Sequence, residues 1–109
     1  MRIRAPCKKV REQFLLVYEL SGSQKAINFL SECYGIKKMK IILNGKKLGR
    51  GYEAFYYHGK AYFSKRSLNK SNVLHEFYHH LVEAKGLEMS ESVEEKQANA
   101  YASGLVKKS

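Results

Sequence analysis

The sequence predicts an α+β domain with two N-terminal helices, a small three-stranded antiparallel sheet and two C-terminal helices. Three observations predict it. Apolar residues recur at helical spacing in both end thirds, and an aromatic-rich, strand-like pattern replaces that period between Lys38 and Ser64. Gly22, Gly35 and Gly86 stand where the helical patterns stop. A chain of 109 residues has room for one modest core, burying roughly 65% of its unfolded surface, so residues 1–109 are read as a single domain.

Each element has its own signal. From Lys8 to Leu20, Val10, Phe14, Val17 and Tyr18 share a helical stripe, which Gly22 ends. Ser23 is placed to cap a second helix from Gln24 to about Tyr34, with Ala26, Ile27, Leu30 and Cys33 or Tyr34 on one face and Gly35 as its C-cap. Lys38–Leu43 reads as a strand and Asn44-Gly45 as a hairpin-type turn. Tyr52–Tyr57 is a second strand, His58-Gly59 a second tight turn and Lys60–Ser64 a third strand. One helix then runs from about Asn69–Ser71 to Lys85. Another runs from about Ser90–Ser92 to Lys107, its terminal lysines complementing the helix dipole. The short Gly86–Met89 connection makes these two helices antiparallel neighbours.

The net charge of +10 is high for this length. Basic residues gather at Ile36–Arg50 and Ser64–Lys70, carboxylates at Glu83–Glu95, and every acid is a glutamate. Such asymmetry suits an anionic partner or a solvated Lys/Glu surface, and the second is the commoner cause. The apolar run Phe14–Tyr18 is cut by Glu19 and is too short for a membrane span or a signal segment, so a soluble, cytoplasmic protein is expected. Cys7 and Cys33 form no C-x-x-C pair and are too few for a disulfide scaffold. They are expected reduced, with Cys33 half-buried.

The stretch with the most chemistry is His75-Glu76-Phe77-Tyr78-His79, an H-E-x-x-H pattern inside a helical segment. Residues four apart on a helix lie about 5–6 Å from each other at Cβ. Two imidazoles so placed can hold one Zn²⁺, and the glutamate beside them can take a proton from water activated there. With four histidines and ten acids, chance gives the pattern in about one such chain in a hundred. Val73, Phe77, Leu81 and Ala84 form an apolar stripe opposite the histidines, so the helix is expected packed on one side and open on the other. His80 points away from the metal face and is read as structural.

A catalytic zinc site takes a third protein ligand and keeps a position open. No histidine, cysteine or aspartate follows His80, so a downstream ligand is one of Glu83, Glu88, Glu91, Glu94 and Glu95. Glu83 shares the histidines' helix and Glu88 lies in the turn. Glu95 shares a face with Ala98 and Ala102, whose small side chains permit close helix approach. Glu95 is therefore the favoured ligand and Glu91 the next. Ser92-x-x-Glu95 is also a capping box, which would give Glu95 a local role instead. Asn99, four residues on, is placed to accept the second N–H of a ligand imidazole.

At these residues the chain resembles the gluzincin type of zincin metallopeptidase. His75-Glu76-x-x-His79 followed by Glu95-x-x-Ala98-Asn99-x-Tyr101-Ala102 is similar to the motif pair of the ImmA/IrrE-like peptidases. The small size and element order resemble the minigluzincins, compact relatives of the M48 and M56 peptidase domains. The resemblance implies one zinc ion per chain on His75, His79 and Glu95, with Glu76 as general base and acid. It also implies that the strand before the active-site helix, at Ala61, Tyr62 and Phe63, forms the substrate rim, where extended peptides add as a strand. Tyr78 stands where many relatives carry a small residue, and the His79–Glu95 spacing is short. A transition-state stabiliser is sought at Tyr101 or His58, with Tyr56, Tyr57 and Tyr62 as further candidates.

The expected function is zinc-dependent cleavage of a peptide or protein substrate, with the C-terminal Val106–Ser109 segment a candidate for holding the enzyme latent as a zymogen. A zinc-stabilised binding or regulatory module with little turnover is the alternative. Nucleic-acid binding by Tyr52, Phe55, Tyr57, Tyr62 and Phe63 with Lys46, Lys47, Arg50, Lys65 and Arg66 ranks below both. No membrane partner is expected, and the sequence leaves a homo-oligomer open.

Overall fold

The computed structural model describes residues 3–43 and 54–106. It opens with two helices, α1 (Lys8–Ser21) and α2 (Ser23–Tyr34). Gly22 alone separates them, at φ 90°, a conformation a side chain disfavours. Gly22 thereby takes the cap position of α2, and Ser23 is its first helical residue rather than the cap. At the far end Gly35 turns left-handed at φ 68°, and the Ile36 amide reaches back 3.0 Å to the Ser31 carbonyl. This six-to-one bond satisfies a carbonyl the helix leaves free.

Three short strands follow: β1 (Lys40–Leu43), β2 (Ala54–Tyr57) and β3 (Lys60–Phe63). The sheet is mixed, not antiparallel as expected, and its order is β1-β3-β2. β1 runs parallel to β3, Lys40 opposite Lys60 and Leu43 opposite Phe63. β2 runs antiparallel to β3, Ala54 opposite Phe63 and Tyr57 opposite Lys60. Burial gives the physical reason. β3 is the strand with fully covered side chains, Ala61 and Phe63, whereas β1 and β2 have none. The strand with the most to bury takes the centre. The Asn44-Gly45 turn and the expected start of the second strand at Tyr52 lie outside the described residues. The His58-Gly59 turn forms as read, with φ 43° and 83°. Positive φ at both central residues matches the twist of a two-residue hairpin.

The two sheet edges differ. On the outer side of β1 the Gln24 amide donates to the Met39 carbonyl and accepts from the Ile41 amide, each at 2.8 Å. One side chain thus occupies the groups another strand would use. Among the described residues nothing pairs with the outer edge of β2.

α3 (Lys70–Ala84) and α4 (Glu91–Val106) complete the chain. Asn69 caps α3, its side chain accepting from the Asn72 amide at 2.8 Å. Gly86, at φ 63°, ends the helix. Ser90, not Ser92, caps α4: its hydroxyl accepts from the Val93 amide at 3.3 Å. The capping box proposed for Ser92 and Glu95 therefore does not form.

α3 is the hub, packed against α4, β2, β3 and α2. Val73, Phe77 and Leu81 are fully buried, while Ala84 is exposed and leaves the expected stripe. Tyr78 is buried too: its hydroxyl donates to Gln97 on α4 and accepts from the Ile3 amide at 3.3 Å. The bulky residue before the second motif histidine is thus a structural tie. Cys7 and Cys33 are both free, and both are exposed rather than half-buried in the case of Cys33. No helix among the described residues is long and apolar enough to cross a membrane.

Phe77 has no exposed surface and stacks obliquely near Tyr34. Phe77→Ala is expected to cost about 3–5 kcal/mol in urea unfolding; a loss below about 1 kcal/mol would contradict this placement.

Candidate metal centre

α3 presents His75 and His79 one turn apart, with Nε2 atoms 3.3 Å from each other. α4 brings Glu95 to the pair. Its Oε2 lies 3.1 Å from His75 Nε2 and its Oε1 lies 2.8 Å from His79 Nε2. The three residues offer ligand atoms that all lie within 4.8 Å of one another, a group that could hold a metal ion. Both imidazoles are largely covered, whereas Glu95 is half exposed.

The donor chemistry fits a cation. His79 Nδ1 lies 2.5 Å from Glu94 Oε2. A carboxylate accepts, so in the singly protonated ring whose Nδ1 donates to Glu94, Nε2 keeps a lone pair free for a cation beside Glu95 and His75. Lone pairs and carboxylate oxygens facing one another repel unless a positive charge sits among them. Two imidazole nitrogens and one carboxylate form a usual donor set for zinc.

Glu94 also corrects an expectation. The outer partner of His79 is this carboxylate, not Asn99, which is exposed on α4. A carboxylate there fixes the tautomer and raises the basicity of the ring. The sequence did carry a signal: Glu94 precedes Glu95, and neighbours on a helix point about 100° apart, so one can face the metal while the other reaches a ring edge.

Glu76 sits on α3 beside the pair, only 7% exposed. Burial pushes its carboxyl up to about 7; His79 opposes the shift and Glu95 adds to it. A cavity of about 670 Å³ opens over the group. Ala54, Phe55 and Tyr56 wall one side, Met89 and Glu91 the other. Glu91, the second-ranked ligand, thus stands at the cavity wall outside the converging group.

The cavity wall corrects the expected substrate rim. Ala61, Tyr62 and Phe63 belong to the central strand, with Ala61 and Phe63 fully buried. The strand beside the cavity is β2. Chain order put β3 next to the metal helix; burial drew β3 inward and left β2 at the edge.

Neither expected transition-state stabiliser reaches the cavity. Tyr101 is buried against α2, its hydroxyl 3.0 Å from that of Tyr34, and burial raises its pKa further. His58, on the β2–β3 turn, lies 3.8 Å from Glu83 Oε2 on the far side of α3. His80 is buried on that side too, with Nδ1 2.8 Å from the Tyr56 hydroxyl and Nε2 2.7 Å from the Lys37 carbonyl. Burial pushes Tyr56 up to about 12; the Gly59 amide opposes the shift and Glu83 adds to it. Of the aromatic residues considered for nucleic acid, Phe55 stacks on Tyr62 at 4.6 Å, Phe63 is core and Tyr57 is exposed. Lys46, Lys47, Arg50 and Tyr52 lie outside the described residues. So do residues 107–109 of the expected latency segment; Val106 lines a hollow with Tyr18 and Lys70, at the start of α3.

Comparison with protein-family models, with curated proteins and with solved structures returned no match.

Two outcomes test this geometry. Glu94→Ala is expected to weaken zinc binding roughly 10–100-fold by calorimetry, with Asn99→Ala near wild type; equal affinities for all three proteins would refute the Glu94 role. Glu76 titrates higher folded than unfolded, so the native state holds the extra proton between pH 4.5 and about 7 and loses stability as pH rises through that window. In the metal-free protein, Glu76→Gln is expected to gain on the order of 3 kcal/mol over wild type at pH 8 and to lose that advantage below about pH 4.5. Urea unfolding at both pH values measures it, and a gain independent of pH would overturn the assignment.

Proposed function

We propose that this chain is a zinc-dependent endopeptidase of the gluzincin kind, with His75, His79 and Glu95 as zinc ligands and Glu76 as the proton carrier. The observation that carries the reading is a buried, rising-pKa carboxylate beside three converging donors, at the foot of an open strand edge. A zinc ion held there supplies Lewis acidity toward water and toward a peptide carbonyl.

The chain's own residues supply the rest. Glu94 orients His79, and α3 holds His75 at the spacing the pair needs. Glu76 takes the proton from the attacking water and returns it to the departing amine. A carboxyl poised near neutrality suits both transfers, because it accepts and releases protons at working pH. Among the described residues no strand pairs with the outer edge of β2 along the cavity wall, and an extended substrate pairs with such an edge. The edge fixes the chain's direction past the ligands, while Phe55 and Met89 contact its side chains. The open cavity favours turnover over the alternative of a zinc-stapled binding module, in which protein groups would close the fourth position.

The test combines metal analysis with digestion of a peptide pool. Wild type is expected to bind one zinc ion and to lose cleavage on chelation. Glu76→Gln is expected to keep the metal and lose about 10²–10⁴ in kcat. Wild-type cleavage by that variant, or a purified chain indifferent to zinc, sinks the reading.

A further inference from the structure

We infer that Tyr56 is a positioning residue, whose hydroxyl fastens the rim strand β2 to the metal-bearing helix through buried His80. The inference rests on the peptidase reading above and names what holds its substrate edge in place.

Tyr56 has two environments. The residue lines the cavity with Ala54 and Phe55, and its backbone pairs with Ala61 of β3. Its hydroxyl leaves the cavity and meets three groups on the other side of α3. It lies 2.8 Å from His80 Nδ1, 2.8 Å from the Gly59 amide and 3.2 Å from Glu83 Oε1. His80 Nε2 faces the Lys37 carbonyl at 2.7 Å. A carbonyl only accepts, so Nε2 carries the proton and, in the singly protonated ring, Nδ1 competes with Glu83 Oε1 for the one Tyr56 hydroxyl hydrogen. The Tyr56 oxygen in turn accepts from Gly59. One hydroxyl therefore joins the rim strand, its hairpin turn, α3 and the segment entering β1.

Place matters as much as number. His80 directly follows the ligand His79, and it is only 5% exposed. A bond at that residue fixes β2 to the helix at the level of the metal group. Among the described residues the rim strand is an edge strand, held in the sheet from one side. Without the hydroxyl, its distance from His75 and His79 is set by side-chain packing and by pairing with β3. A substrate strand added to β2 inherits that looseness, and small errors in substrate placement are costly to rate. Buried groups that lose a partner also cost more than the bond itself contributes, so the His80 ring would reorient.

Tyr56→Phe removes the hydroxyl and keeps the ring. In zinc-loaded protein it is expected to retain one zinc ion per chain, to speed exchange of the Gly59 amide, and to raise KM for octapeptide substrates about tenfold. A variant that is merely less stable loses active fraction and hence kcat, with KM unmoved. An unchanged KM therefore overturns this inference while leaving the peptidase reading intact. A zinc-loaded wild type that cuts none of the peptides overturns both. Should Tyr56→Phe fail to fold, His80→Gln, whose amide still reaches toward the Lys37 carbonyl, is measured the same way, and the same rise in KM is required.

Discussion

The site depends on how closely α4 lies against α3. Ala98 and Ala102 occupy the contact and are buried completely or nearly so. Small side chains there bring the helix axes together, and only then do Glu94 and Glu95 reach the two histidines. Tyr78 sets the lengthwise register, since its hydroxyl meets Gln97, two residues past Glu95, and its ring packs against Tyr101 at 5.3 Å. A larger residue at either alanine would separate carboxylates and imidazoles without touching any of them.

α3 divides its work between opposite faces. Toward α4 and the cavity it carries His75, Glu76 and His79; toward the sheet turn it carries His80 and Glu83. The neighbours His79 and His80 thus serve different ends: the first joins the converging group, the second ties secondary structures together. Glu76 lies between these roles. Its burial withholds water from the carboxylate, which raises its proton affinity.

The helices were legible because periodicity and glycine stops agree in each of them, as at Gly35 and Gly86. The histidine pair was legible because spacing along one helix is a local property. The convergence of Glu95 followed from small residues at Ala98 and Ala102, also read along one face. What escaped was non-local. Strand order depends on which strand has most to bury, and the chain order of β2 and β3 concealed it. The rim that the resemblance implies at Ala61–Phe63 falls on the central strand for the same reason. Asn99 lies four residues past Glu95 on the same side, whereas the ring edge of His79 faces Glu94, the residue just before Glu95.

Gln24 gives the sheet a polarity that strand count alone does not. Its amide mimics a peptide group against Met39 and Ile41, so one border of the sheet is sealed by a side chain from α2. The opposite border, along β2, has no partner strand among the described residues and faces the cavity. The same seal guards the β1 border against pairing of like molecules edge to edge, a hazard for any short sheet.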